Sequence, residues 1–155
     1  MTKRMISYGR PAQVLLVDDN RGDALLAAHA FKSALFETNL MHASTGEIAL
    51  GLLHDGASLP DLVLLDLQLP QMSGMDVLTA IKSDERLKHI PVIVLSNSGD
   101  GHNVTRCYQH HASAYVIKPL DLAKYRETIA LIEQFFFVLA SLPVIRLPKI
   151  YDPAQ

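Results

Sequence analysis

Four short apolar runs punctuate the chain, and none of them alternates with polar residues: Val14-Leu15-Leu16-Val17, Leu62-Val63-Leu64-Leu65, Val92-Ile93-Val94-Leu95 and Ala114-Tyr115-Val116-Ile117. A strand with one wet face alternates apolar and polar residues. A strand covered on both faces reads as a continuous apolar run. The runs therefore predict central strands of a sheet buried on both sides. A fifth, weaker strand fits Leu40 to Ala43. Between the strands lie amphipathic stretches of helical length, at about 22–36, 46–54, 74–83, about 103–111 and 121 to about 140. In the first of these Leu25, Leu26, Ala28, Phe31 and Leu35 recur near helical spacing. Strands that alternate with helices imply right-handed crossovers and a parallel sheet. The expected fold is α/β, a small doubly wound domain with five parallel strands. Residues 1–11 read as an N-terminal extension, 12–140 as the domain and 141–155 as an extended tail.

The rest of the composition narrows the class. With 155 residues, 49% of them hydrophobic and 19% charged, the chain is one globular domain. The formal charge is 14 − 16 = −2 with no basic block, which disfavours a nucleic-acid binder. A single cysteine, Cys107, excludes an internal disulfide, and a reducing compartment, the cytoplasm, is expected. The polar start reads as no secretory signal. The longest apolar run, Phe135 to Ala140, is far below the roughly 20 residues of a membrane span.

Each run is followed at once by polar chemistry: Asp18-Asp19, Asp66, Ser96 and Lys118. Ligands of open parallel sheets bind outside the carboxyl ends of the strands. Four separate segments thus deliver three carboxylates, a hydroxyl and an ammonium to one rim. Crowded carboxylates raise each other's pKa unless something neutralises them. A hard divalent cation such as magnesium, with oxygen ligands and retained waters, is the simplest neutraliser. The blander reading of Asp18-Asp19, a helix cap ahead of Asn20, loses weight once Asp66 and Lys118 share the rim. A carboxylate at the end of a buried strand can act as a nucleophile and form an acyl phosphate. The cation and Lys118 would then offset the phosphoryl charge. Ser96 can bond a phosphoryl oxygen, although taken alone it reads as a turn residue in Ser96-Asn97-Ser98-Gly99. Tyr115 taken alone reads as core. A cis Lys118-Pro119 bond would aim the lysine inward. Gly74 fits a tight return of the chain beside Asp66. The seven histidines lack metal-ligand spacing, and Cys107 reads as a small core residue.

These residues together resemble the receiver domain of two-component response regulators, over about Ala12 to Phe137. Val17-Asp18-Asp19-Asn20 looks like the acidic metal-binding pair. Leu65-Asp66 with Pro70 and Gly74 looks like the phosphoacceptor strand and loop. Ser96, Tyr115 and Lys118-Pro119 match the remaining motif positions. The resemblance implies a flavodoxin-like sheet of order 2-1-3-4-5 and no conventional enzyme. It implies that Asp66 accepts a phosphoryl group from a histidine kinase, with magnesium (or manganese or calcium in its place). Asp19, Asp66 and the Gln68 backbone carbonyl would touch the metal, and Asp18 would act mostly through water. Ser96, the Asn97 backbone amide and Lys118 would hold the phosphoryl oxygens, and Ser96 with Tyr115 would move as the switch. Asn97 is bulkier than the residue usual there, and Gln68 and Ser98 stand at positions that tune phosphate lifetime in the family.

Asp18-Asp19-Asn20-Arg21-Gly22-Asp23, Leu95-Ser96-Asn97-Ser98 and Ile132-Glu133-Gln134-Phe135-Phe136 are similar to the small response regulators of bacterial phytochrome kinases. Phe135 to Leu139 cover every direction around a helix, more than one sheet face can bury. The tail places Val144, Ile145, Leu147 and Ile150 among prolines. A homodimer through the fifth helix and the tail is expected, with a tail folded back on its own domain as the alternative. Two other readings fit less well. A haloacid-dehalogenase-type phosphatase needs an Asp where Gln68 stands. A flavodoxin-like binder needs a phosphate loop without Asp18 and Asp19.

Overall fold

The computed structural model describes residues 2–6, 9–56 and 58–143. Strands and helices alternate as β1 (Ala12–Val17), α1 (Arg21–Lys32), β2 (Thr38–Ala43), α2 (Gly46–Asp55), β3 (Leu62–Asp66), α3 (Gly74–Ser83), β4 (Val92–Ser96), α4 (Gly101–Gln109), β5 (Ala114–Ile117) and α5 (Leu122–Glu133). The five strands form one parallel sheet of order β2-β1-β3-β4-β5. The expected fold class and strand order both hold.

Pleating splits each central run between two cores. Val14, Leu16, Leu62, Leu64, Ile93 and Leu95 pack with Ala27 and Phe31 of α1 and with Tyr125 and Ile129 of α5. Leu15, Val17, Val63, Leu65, Val92 and Val94 pack with Leu53 of α2, Val77 and Ile81 of α3 and Cys107 of α4. This two-sided burial is why those runs carry no polar residue. The fourth run differs from expectation. β5 is the sheet edge, is half-buried along its length and leaves Ile117 exposed, because no strand lies beyond it.

The helix ends have local causes. Asn20, Thr45, Ser73, Asp100 and Asp121 cap the five helices through side-chain oxygens, so α4 starts at Gly101, earlier than the spacing predicts. α1 ends at Lys32 rather than running to Phe36: Ser33 turns back onto the Ala30 carbonyl at 3.1 Å, and Phe36 pairs with Arg4 instead. The single long last helix of the sequence reading is also corrected. α5 stops at Glu133 and continues as a π-helical turn, Gln134–Leu139, closed by the Ala140 N–H on the Phe135 carbonyl at 2.7 Å. The wider turn seats Phe137 in the core, edge-on to Phe36 at 5.4 Å, while Phe135, Val138 and Leu139 stay exposed. No cis peptide bond occurs among the described residues, so Lys118-Pro119 is trans. None of the described helices is long and apolar enough to cross a membrane.

Register sets the functional rim. Val17 pairs with Leu65, Asp66 with Leu95, and Ser96 with Ile117, so Asp18, Asp66, Ser96 and Lys118 leave neighbouring strands at one edge. The loop after β3 must turn back tightly. A Cβ on Gly74 would meet the Asp66 carbonyl oxygen at 2.3 Å and Leu67 Cα at 2.5 Å, and the Gly74 N–H bonds the Leu67 carbonyl at 2.9 Å. No side chain fits that approach.

Glu133 is buried at the joint between α5 and the π-turn. One carboxylate oxygen accepts the Phe36 N–H at 3.2 Å, and Oε1 has no partner. Burial pushes its pKa above the ordinary 4.5, while the Phe36 and Leu35 amides and the Lys3 ammonium pull it back. The folded state therefore holds the proton more tightly than the unfolded chain. Its contribution to stability is complete below pH 4.5 and is lost as pH rises through the raised value. Glu133→Gln should remove that slope. Urea midpoints of the two proteins across acid pH should diverge; parallel profiles would contradict the assignment.

Candidate functional site

Asp18 follows β1 and is buried, and its carboxylate accepts the Asn20 N–H at 2.9 Å. Asn20 is the residue that caps α1, through the Asp23 N–H at 3.0 Å. The acidic pair is therefore not the cap. Asp19 faces solvent. Asp66 ends β3, buried, with one oxygen accepting the Gln68 N–H at 3.1 Å and the other 3.2 Å from Lys118 Nζ. Lys118 is buried as well, and its Nζ lies 2.8 Å from both Asp18 and Asp23. The lysine points into the rim across a trans bond. Its backbone N–H is fixed by the Ser96 carbonyl at 2.8 Å.

The electrostatics follow from this packing. Burial alone would lower the Lys118 pKa, but the hydrogen bonds and charges of Asp18, Asp23 and Asp66 overrule it and raise the value, so the ammonium stays charged. Burial raises the Asp66 pKa, against the Gln68 amide and Lys118, and Asp18 adds to the rise. Ligand oxygens of Asp18, Asp19 and Asp66 lie within 4.8 Å of one another. Hard oxygen donors in this number, one of them open to water, fit a magnesium-class cation that keeps part of its hydration shell. The cluster carries more carboxylates than its single ammonium can neutralise, which favours such an ion further.

The remaining expected residues lie beside this centre. Ser96 is buried at the end of β4, and its Oγ accepts the Ser98 N–H at 3.3 Å. Asn97 and Gln68 are exposed on the flanking loops. The Tyr115 hydroxyl donates to the Ser98 carbonyl, tying β5 to the loop that carries Ser96 and Asn97. His42 on β2 donates from Nε2 to the Asp18 carbonyl at 2.7 Å, which props the acidic corner from outside.

Two residues escape the sequence reading. Asp23 reads as an ordinary first-turn acid of a helix. The available signal is that helix side chains lean toward the N-terminus, here toward the rim. Tyr125 is fully buried on α5 with no partner for its hydroxyl. Burial raises its pKa, and the charges of Lys118, Asp23, Asp18 and Asp66 act on it more weakly.

A doubly wound domain with a lysine-centred acid cluster at the strand ends defines the class, a flavodoxin-like α/β domain with a cation-competent rim. Known proteins agree. Residues 14–130 match the family described as response regulator receiver domain. The chain is 39% identical over 130 residues to the probable methanogenesis regulatory protein FilR2 of Methanothrix harundinacea, covering 81% of this chain and 84% of that one. It is 32% identical over 138 residues to response regulator Rcp1 of Synechocystis, covering 86% and 94%. The solved Mn(2+)-bound form of Rcp1 superposes with a TM-score of 0.79 over 86% of this chain and 100% of that one, at 32% identity. The phosphorylated cyanobacterial phytochrome response regulator RcpA superposes at 0.81 with 34% identity, over 86% and 99%. The chain belongs to the response regulator receiver domain family, and is a phosphoacceptor signalling protein rather than a conventional enzyme.

If Lys118 is the counter-ion that lets these carboxylates coexist, Lys118→Met should destabilise the metal-free protein by about 3 kcal/mol, as loss of one partner of a buried ion pair does. Millimolar magnesium should return part of that loss. Urea unfolding with chelator and with magnesium measures both. A variant as stable as the wild type in chelator would contradict the role.

Proposed function

We propose that the chain is a single-domain response regulator that takes a phosphoryl group from a histidine kinase onto Asp66 in a magnesium-dependent step and changes conformation for signal transduction. The observation that carries this reading is the strand-end carboxylate of Asp66, 3.2 Å from the Lys118 ammonium and within 4.8 Å of the Asp18 and Asp19 oxygens. In the transfer an Asp66 oxygen forms a bond to phosphorus as the P–N bond of the kinase phosphohistidine breaks. The histidine nitrogen takes up a proton. Asp19, Asp66 and the Gln68 carbonyl would hold the cation directly, and Asp18 largely through water. Bound there, the cation supplies positive charge against the phosphoryl oxygens. Lys118, the Ser96 hydroxyl and the Asn97 amide would hold those oxygens.

Charge placed at this rim then biases a two-state element. Ser96 moves toward the phosphoryl group, Tyr115 leaves the Ser98 carbonyl, and the face of α4, β5 and α5 changes shape. Hydrolysis of the acyl phosphate resets the switch.

The partner in this reading is a phytochrome-type kinase in the cytoplasm. The likeness to RcpA, a phytochrome response regulator, supports it. A second reading, a kinase with a different sensor, draws on the 39% identity with FilR2, a probable methanogenesis regulatory protein. The reading includes a homodimer. Leu131, Phe135, Val138 and Leu139 are 67%, 52%, 58% and 76% exposed along α5 and the π-turn, an apolar strip that a second copy would cover. The tail beyond Pro143, which would contribute to that interface, lies outside the described residues.

Incubation with two autophosphorylated kinases, one of phytochrome type and one with an unrelated sensor, tests the reading. Label should pass to the wild type and not to Asp66→Asn, and the faster donor identifies the partner class. Label on Asp66→Asn, or none from either kinase, would contradict it.

A further inference from the structure

Lys118 comes to this chemistry with its hydrogen-bonding capacity already taken up. An ammonium has three N–H donors. Carboxylate oxygens of Asp18, Asp23 and Asp66 lie 2.8, 2.8 and 3.2 Å from Nζ, and the side chain is only 2% exposed. For Lys118 to bond a phosphoryl oxygen, one carboxylate must let go.

The three acids are not equally free to do so. The Asp18 side chain is 2% exposed and is also held by the Asn20 amide. Asp66 would carry the phosphoryl group. Asp23 stands in the first turn of α1, and its side chain is 24% exposed. Its carboxylate makes no other polar contact among the described residues. Released, Asp23 rehydrates at once, whereas Asp18 would be left as a buried charge without its partner.

We infer that Asp23 is a positioning residue: it tethers the Lys118 ammonium in the unphosphorylated protein and competes for it with the phosphoryl group on Asp66. The inference rests on Asp66 being the acceptor. The tether couples the first turn of α1 to phosphorylation, because acyl phosphate formation frees Asp23 and the helix end that carries it. Competition of this kind holds the protein in its unphosphorylated form. Weakening the tether shifts the balance the other way.

Asp23→Asn and Asp23→Glu test this with two measurements. The first needs no metal and no phosphate: solvent exchange of the Lys118 ammonium protons, followed by 15N NMR in chelator. Exchange should be faster in Asp23→Asn than in the wild type, and Asp23→Glu, which keeps a carboxylate, should restore part of the protection. The second is the ratio of phosphorylated to unphosphorylated protein at fixed, subsaturating acetyl phosphate and saturating magnesium. Asp23→Asn should raise it roughly three- to tenfold, the equivalent of one partly exposed charged hydrogen bond. Unchanged ammonium exchange would overturn the tether. Lower phosphorylation of Asp23→Asn at saturating magnesium would overturn the competition, because Asp23 would then be assisting the transfer. No label on the wild type would overturn the acceptor reading and the competition with it, while the exchange measurement still decides the tether.

Discussion

A buried ammonium surrounded by carboxylates governs this rim. Without Lys118, Asp18 and Asp66 would be brought together in a low-dielectric corner with no counter-charge, and folding would force one of them to stay protonated. With it, the acids coexist at close range, and the corner still holds surplus negative charge. That surplus is what invites a divalent cation. It also accounts for the raised pKa of Lys118 despite burial that works the other way. A cation and a phosphoryl group arriving together add charges of both signs, so the arrangement can change occupants without leaving a charge stranded.

The scaffold turns this electrostatic arrangement into fixed geometry. Parallel register places the ends of β1, β3, β4 and β5 at one level. Apolar residues on both sheet faces fix that register, because a slip of one residue would exchange the two cores. Gly74 lets the chain return against the Asp66 backbone, closer than any Cβ allows. Tyr125 of α5 is fully buried in the core that packs α1 and α5 on the sheet. Away from it, the π-turn sorts the phenylalanines, Phe137 inward and Phe135 outward.

Much of this was legible in the sequence because it follows from periodicity and strand ends. Continuous apolar runs mark central strands, and the polar residue that stops each one marks the rim. Asp18, Asp19, Asp66 and Lys118 are found this way, and they do converge. What escaped depends on three-dimensional approach. Asp23 looks like any first-turn helix acid until Lys118 is seen beside it. Tyr125 sits on a helix face that reads as plain core. β5 has the composition of a central strand, and only its place at the end of the strand order leaves Ile117 wet. The π-turn was invisible because a run of phenylalanines has no phase of its own.

The central claim is that a single side chain, Asp66, carries the phosphoryl group. Borohydride reduction of acetyl-phosphate-treated protein converts an aspartyl phosphate to homoserine, and peptide mass spectrometry then locates it. The account predicts homoserine at residue 66 and at no other aspartate, dependent on magnesium. Homoserine at residue 18, 19 or 23, or phosphate found on a histidine instead, would contradict it.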